Sequence, residues 1–209
     1  MMQILSHRGY WLDKAEKNGE VAFRRSFAAG FGTETDVRDC AGKLVIAHDP
    51  PQGAELLLSK FLEIYREYGG CMPLALNIKA DGLQQMIRHL LADTNASNIF
   101  FFDMSTPDMT SYLRFGMPVF TRHSDVEAMP VFYEESNGVW LDAFSGNWDS
   151  TLAIEKHLAV KNHVCVVSAE LHGRDHLSQW KSLRQSGMCN DSRLMICTDY
   201  PQEAQDFFS

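Results

Sequence analysis

Short runs of apolar and β-branched residues recur along this 209-residue chain, and each is followed by a longer stretch whose apolar positions return every three or four residues. The first pattern belongs to buried strands and the second to helices with one apolar face, so their alternation predicts a parallel sheet with helical crossovers. Strands are predicted over 3–7, 33–38, 74–79, 98–103, 118–121, 138–142, 164–168 and 194–197. Helices are predicted over 20–29, 59–68, 82–92, 107–115, 125–135, 149–160, 175–186 and 201–208. Eight strands, each with its helix, predict an α/β fold: a closed (β/α)8 TIM barrel near the small end of the usual size range. Gly42 marks a tight turn, so 36–40 and 44–47 are expected to pair as a small hairpin beside the second strand, with 44–47 outside the barrel count. No repeat, low-complexity tract or Pro/Ser-rich linker interrupts the chain, and one domain over 1–209 is expected.

Composition narrows the partners. A 45% hydrophobic chain of this length can bury a good core. Nineteen basic residues face 27 acidic ones, a formal charge of −8 with no Lys/Arg block, which argues against nucleic acid and anionic membrane surfaces and for a small substrate. The five cysteines, at 40, 71, 165, 189 and 197, are odd in number and form no Cys-x-x-Cys, as expected of reduced thiols in a cytoplasm. No signal-peptide pattern precedes His7, and no apolar run approaches the roughly 20 residues of a membrane span, so neither secretion nor membrane insertion is expected.

Active sites of TIM barrels gather at the carboxyl ends of the strands. Polar residues recur there: His7 and Arg8, Glu34 and Asp36, Asn77 and Lys79, then Asp103, Arg122, Asp142, Glu170 and Asp199. Residues two apart on a strand share a face about 6.6 Å apart, so Glu34 and Asp36 can hold one divalent cation between them. Histidines at 7 and 48 can stand on either side of that cation as proton donor and acceptor, and Arg8 offers a fork for phosphate oxygens. Trp11 and Trp140 lie close to these motifs and are candidates for the wall of the mouth.

The ordered motifs Ser6-His7-Arg8-Gly9, Glu34-Thr35-Asp36 and His48-Asp49 resemble those of the glycerophosphodiester phosphodiesterases. Leu76-Asn77-Ile78-Lys79 and the closing Thr198-Asp199-Tyr200-Pro201 extend the resemblance over nearly the whole chain. One position departs: the family usually carries a metal-binding Glu two residues before the Lys, and here that position is Asn77. An amide oxygen can coordinate a hard cation but brings no charge. Asp103 or Glu170 is the expected substitute acid.

The resemblance implies a metal-dependent phosphodiesterase of lipid-derived or related metabolites, acting on a glycerophosphodiester or another small polyol or sugar phosphodiester. Catalysis would fall to His7 and His48, either of which can be the base, and phosphate binding to Arg8 and Lys79. The cation, Mg2+ or Ca2+ with Mn2+ as a third choice, would be held by Glu34, Asp36 and Asn77, with Asp103 or Glu170 completing the set. Lys79 has the plainer alternative of a solvated strand-end lysine. Two other functions stay open: a phospholipase-like phosphodiesterase that forms a cyclic product, and a barrel that binds phosphorylated ligands without turnover.

Overall fold

The structure, a computed structural model, describes the chain apart from positions 93, 95, 96, 146, 147, 149 and 162. In chain order its elements are β1 (Gln3–His7), α1 (Glu20–Ala28), β2 (Gly32–Cys40), β3 (Lys43–Ile46), α2 (Leu58–Glu67), β4 (Leu74–Ile78), α3 (Gln84–Leu91), β5 (Ile99–Phe102), α4 (Thr106–Arg114), β6 (Phe120–Ser124), β7 (Gly138–Asp142), α5 (Ser150–Leu158), β8 (His163–Val167), α6 (His176–Gln185), β9 (Leu194–Thr198) and α7 (Pro201–Phe208). Eight of the strands run parallel in the order β5-β4-β2-β1-β9-β8-β7-β6. Only β3 stands off this path, paired antiparallel with β2 from Val37↔Ile46 to Cys40↔Lys43, which is the predicted hairpin. The ring closes between β5 and β6 through a parallel bridge, Phe101↔Val119, and the Phe101 N–H donates to the Pro118 carbonyl at 2.9 Å. The result is the predicted single-domain (β/α)8 barrel.

Strand alternation sorts the side chains into an inner and an outer layer. Leu5, Ala75, Phe100, Phe102, Phe120, Trp140, Cys165, Val167, Met195 and Cys197 form the inner cluster. Phe100 stacks on Phe120 at 3.8 Å between ring centroids, and Phe102 on Trp140 at 3.9 Å, so aromatic pairs fill the barrel below its mouth on the β5–β7 side. The opposite faces of the strands carry two outer clusters. One packs β2–β5 against α1–α4 around Phe23, Phe61 and Tyr65. The other packs β7–β9 against α5–α7 around Trp180.

Seven α-helices, not eight, lie among the described residues. The helix expected over 125–135 is absent, and the segment is a run of bends and turns. Local chemistry explains the difference. The Ser124 hydroxyl accepts from the backbone N–H of Val126 and Glu127, and Asp125 accepts from the N–H of Phe144 and Ser145 instead of capping a helix. Pro130 then removes a donor in mid-segment and bars the helical conformation to the residue before it. Position 149, the expected start of the next helix, lies outside the described residues, and α5 begins at Ser150. Elsewhere the punctuation matches the sequence: Ser105 caps α4 by accepting from the Asp108 N–H, and Pro107 and Pro201 occupy the first turns of α4 and α7. Among the described residues no helix is long and apolar enough to cross a membrane, and all five cysteines are unpaired.

Candidate active site

The mouth at the carboxyl ends of the strands is built from the strand registers. His7 ends β1 directly opposite Glu34, and Asp36 on β2 lies opposite Asn77 on β4. After His7 the chain turns sharply through Arg8 (φ 60°) and Gly9 (φ 84°). A Cβ on Gly9 would come within 2.7 Å of the Ala22 Cβ, so only glycine lets α1 pack this close behind the site. The loop then folds back over the mouth: the Asn18 N–H donates to the Arg8 carbonyl, and its side-chain amide donates to Asp36 Oδ2 at 3.0 Å while accepting from Thr35 Oγ1 at 2.9 Å.

His7 is fixed by Asp199, which follows β9. The ring's Nδ1 is 2.7 Å from Asp199 Oδ1, and Lys17 lies 3.5 Å from the other carboxylate oxygen while sitting 4.3 Å above the Trp11 ring. A carboxylate accepts, so the shared proton sits on Nδ1 and leaves a lone pair on Nε2, which is 3.9 Å from Glu34 Oε2. Burial lowers the His7 pKa below its ordinary value, opposed by the hydrogen bond and charge of Asp199. The Asp199 carboxyl stays below the usual range: burial pulls it upward, but the His7 hydrogen bond and the charge of Lys17 outweigh that.

Glu34 and Asp36 are both buried, at 2% and 0% exposure. Burial first, and the Asp36 charge second, push Glu34 up to about 8, against the pull of Arg8, Lys79 and the Asn77 amide. Arg8 Nε lies 3.1 Å from Asp36 Oδ2, and Lys79 Nζ lies 3.7 Å from Asp36 Oδ1. Three buried oxygens, Glu34 Oε2, Asp36 Oδ1 and Asn77 Oδ1, have no hydrogen-bond partner. Unpaired buried oxygens are expensive unless something binds them, and two carboxylates with an amide are ligands a hard divalent cation accepts. The residues present therefore fit such a cation, although no three His, Cys, Asp or Glu side chains converge on one point among the described residues.

The other expected residues fall in different places. Asp103, in a left-handed backbone (φ 67°) after β5, binds Arg122 Nη1 at 2.8 Å and lies 3.7 Å from Lys79. Lys79 thus bridges Asp36 to Asp103, and Arg122 continues the chain of charges to Glu127. Glu170 accepts from Ser168 Oγ on one oxygen, and from Thr198 Oγ1 and the Asp199 N–H on the other. Of the two acids expected to replace the missing carboxylate, Glu170 has both oxygens in the frame that positions Asp199, whereas Asp103 has one oxygen on Arg122 and the other shares Lys79 with Asp36. His48 stands in the bend that follows β3. Ala47, just before it, donates its N–H to the Asp36 carbonyl, but the His48 ring is about half exposed and bonds only Asp49, at 2.9 Å, among the described residues. Asp199, named in the sequence without a role, and Asn18, not named there, hold the site together. The Thr-Asp-x-Pro motif is the signal for the first; nothing in the composition of the loop marks the second.

No protein-family model matches the sequence, and no curated protein is close enough in sequence to match it. The fold has clear relatives. A glycerophosphodiester phosphodiesterase from Parabacteroides distasonis aligns with a TM-score of 0.75 at 16% identity, over 99% of this chain and 96% of its own. One from Agrobacterium tumefaciens gives 0.70 at 18% identity, over 100% and 99%. A phosphodiesterase from Oleispira antarctica, in complex with the product sn-glycerol-3-phosphate, gives 0.70 at 16%, over 98% and 96%. The chain therefore has the barrel fold of the glycerophosphodiester phosphodiesterases, matched along its full length.

Proposed function

We propose that this protein is a phosphoric diester hydrolase that cleaves a glycerophosphodiester, or a related small polyol or sugar phosphodiester, at the mouth of the barrel. One divalent cation, Mg2+, Ca2+ or Mn2+, would be held by Glu34, Asp36 and Asn77. The observation that supports this best is that the His7–Asp199 pair faces Glu34 across the β1–β2 register, while Glu34, Asp36 and Asn77 each keep a buried oxygen without a hydrogen bond. The product found in the Oleispira antarctica phosphodiesterase supports the substrate class.

In this reading His7 is the general base. Its Nε2 lone pair takes the proton of the attacking hydroxyl, either the substrate's own neighbouring hydroxyl or water, and Asp199 stabilises the imidazolium that results. Burial serves that task, because it keeps the ring neutral at neutral pH. Arg8 and Lys79, paired to Asp36 without being enclosed, bring positive charge to the non-bridging phosphate oxygens. The bound cation would supply Lewis-acid polarisation of those oxygens. His48, carried in the bend after β3, is the donor to the leaving alkoxide; its open position suits a residue that meets the departing alcohol at the rim. The five unpaired thiols accord with a reducing cytoplasm as the site of action.

The deciding experiment measures hydrolysis of a glycerophosphodiester by protein stripped of metal, then by the same protein resupplied with each of the three ions. Turnover restored by metal supports the reading. Full turnover by protein shown by elemental analysis to be metal-free overturns the cation, and no turnover of any phosphodiester overturns the hydrolase.

A further inference from the structure

A second histidine–carboxylate pair stands on another wall of the same mouth. Asp142 ends β7, and His172 closes the tight turn Ala169–His172 that follows β8. Leu171 packs against the inner cluster of the barrel, so this turn lies across the opening. His172 Nε2 is 2.6 Å from Asp142 Oδ1. Asp142 is buried, at 9% exposure, while the His172 ring is a quarter exposed, and the Phe144 ring meets it edge-on at 5.1 Å. Burial pushes the Asp142 carboxyl upward, opposed first by this hydrogen bond.

The pair mirrors His7–Asp199 with the ring nitrogens exchanged. Asp199 holds His7 by Nδ1, whereas Asp142 holds His172 by Nε2, so the lone pair of His172 is on Nδ1. No group among the described residues bonds that nitrogen. Its surroundings decide what it can take. Of the cations that suit phosphate, Arg8 and Lys79 are carried by the turns after β1 and β4; Arg122 of β6 lies 5.7 Å over the Phe144 ring but is held by Asp103 and Glu127, and Arg174 is held by the Ala143 carbonyl, so that His172 itself offers an acceptor with a buried carboxylate behind it. A phosphate oxygen has no proton to give and is repelled by Asp142. A hydroxyl has one.

We propose that His172, aligned by Asp142, is a specificity-determining residue that accepts a hydrogen bond from a hydroxyl of the substrate's alcohol, so that the site selects an uncharged polyol ester. The hydroxyl is one beyond that adjacent to the ester, which faces the phosphorus. This rests on the phosphodiesterase reading given above.

The test compares two p-nitrophenyl phosphodiesters with the metal-loaded protein. One carries a glyceryl group; the other carries 2-hydroxypropyl, which keeps the hydroxyl next to the ester and lacks the terminal one. Wild-type protein is expected to favour the glyceryl ester roughly tenfold in kcat/KM, mainly through KM, as one hydrogen bond to a carboxylate-backed acceptor warrants. His172→Phe, which preserves the ring packing and removes the acceptor, should abolish that preference by lowering the glyceryl ester to the rate of the other. His172→Asn, whose carbonyl oxygen falls near the position of Nδ1, should restore part of it. No preference in the wild type, a preference that survives in His172→Phe, or an equal fall on both esters overturns the assignment while leaving the hydrolase standing. A wild type that turns over neither ester overturns the hydrolase and the His172 assignment with it.

Discussion

His7 Nδ1 and Asp199 Oδ1 lie 2.7 Å apart across 192 residues of sequence. The contact exists because β1 and β9 are neighbours in the closed ring, with Ser6 registered against Thr198 immediately before the two side chains. Barrel closure therefore sets the tautomer of the candidate base: only when the last strand docks on the first does His7 present a lone pair on Nε2.

Replacing Asp199 removes that control. Asp199→Asn should lower kcat on a glycerophosphodiester by about 10²-fold or more, because the amide no longer fixes the protonated nitrogen or stabilises the imidazolium. Far-UV circular dichroism should stay unchanged. The same variant should move the acid limb of the kcat/KM profile. Burial already holds the His7 pKa below 6.5, and Asp199 pushes it back upward, so the limb should fall to lower pH in Asp199→Asn. A variant as fast as wild type, or a limb displaced upward, refutes this role.

The raised Glu34 carboxyl gives a prediction independent of turnover. With a pKa pushed up to about 8, Glu34 is protonated at pH 7 in cation-free protein. A cation needs it ionised, so metal binding at pH 7 should release roughly one proton. Isothermal titration calorimetry with Mg2+ or Mn2+, in two buffers of different ionisation enthalpy, measures that number directly. Glu34→Gln should release none. Stability follows the same sign: a folded pKa above the unfolded one contributes stability that is fully present below about 4.5 and is lost as pH rises through about 8. Cation-free wild type should thus lose Tm between those limits relative to Glu34→Gln.

Much of this was legible in the sequence, and the parts that were not share a physical cause. The strand ends carrying His7, Glu34, Asp36 and Asn77 followed from hydrophobic pattern and motif spacing, since a parallel strand buried on both faces has few alternatives. The segment 125–135 reads as a helix because its apolar spacing fits one, yet a hydroxyl at Ser124 and a proline at 130 override periodicity. The partners of the acids were equally hidden. Asp103 and Glu170 stood at the right strand ends to bind a cation, but whether a carboxylate is free depends on side chains from other strands: Arg122 and Lys79 for the first, Thr198 and Ser168 for the second.

Those engagements change what the missing third carboxylate implies. Asn77→Glu should restore a charged oxygen beside Asp36 and lower the metal concentration for half-maximal activity by roughly tenfold or more. Asp103→Asn should leave that midpoint in place and instead raise KM, because it releases Lys79 and Arg122 from their positions at the mouth. Metal titrations of the two variants beside wild type separate the effects. A midpoint that rises in Asp103→Asn would show that Asp103 does reach the cation.

The seam of the barrel supplies the last prediction. Gly138 opens β7 where Phe120 of β6 crosses it: a Cβ there would lie 2.6 Å from Phe120 Cζ and 2.8 Å from the His163 carbonyl oxygen. Phe120 cannot give way freely, because its other face is stacked on Phe100 at 3.8 Å across the one pair of strands joined by a bridge and not a ladder. Gly138→Ala should accordingly destabilise the fold by about 1–3 kcal/mol through overpacking, seen as a lower midpoint in urea with an unchanged slope. Gly42, with nothing within 4 Å of its Cβ position but a φ of 77°, is the control for backbone strain alone, and Gly42→Ala should cost less, about 1 kcal/mol. A loss at 138 no larger than that at 42 would mean that Phe120 gives way at little cost, and that its stack on Phe100 does not set the requirement for glycine at 138.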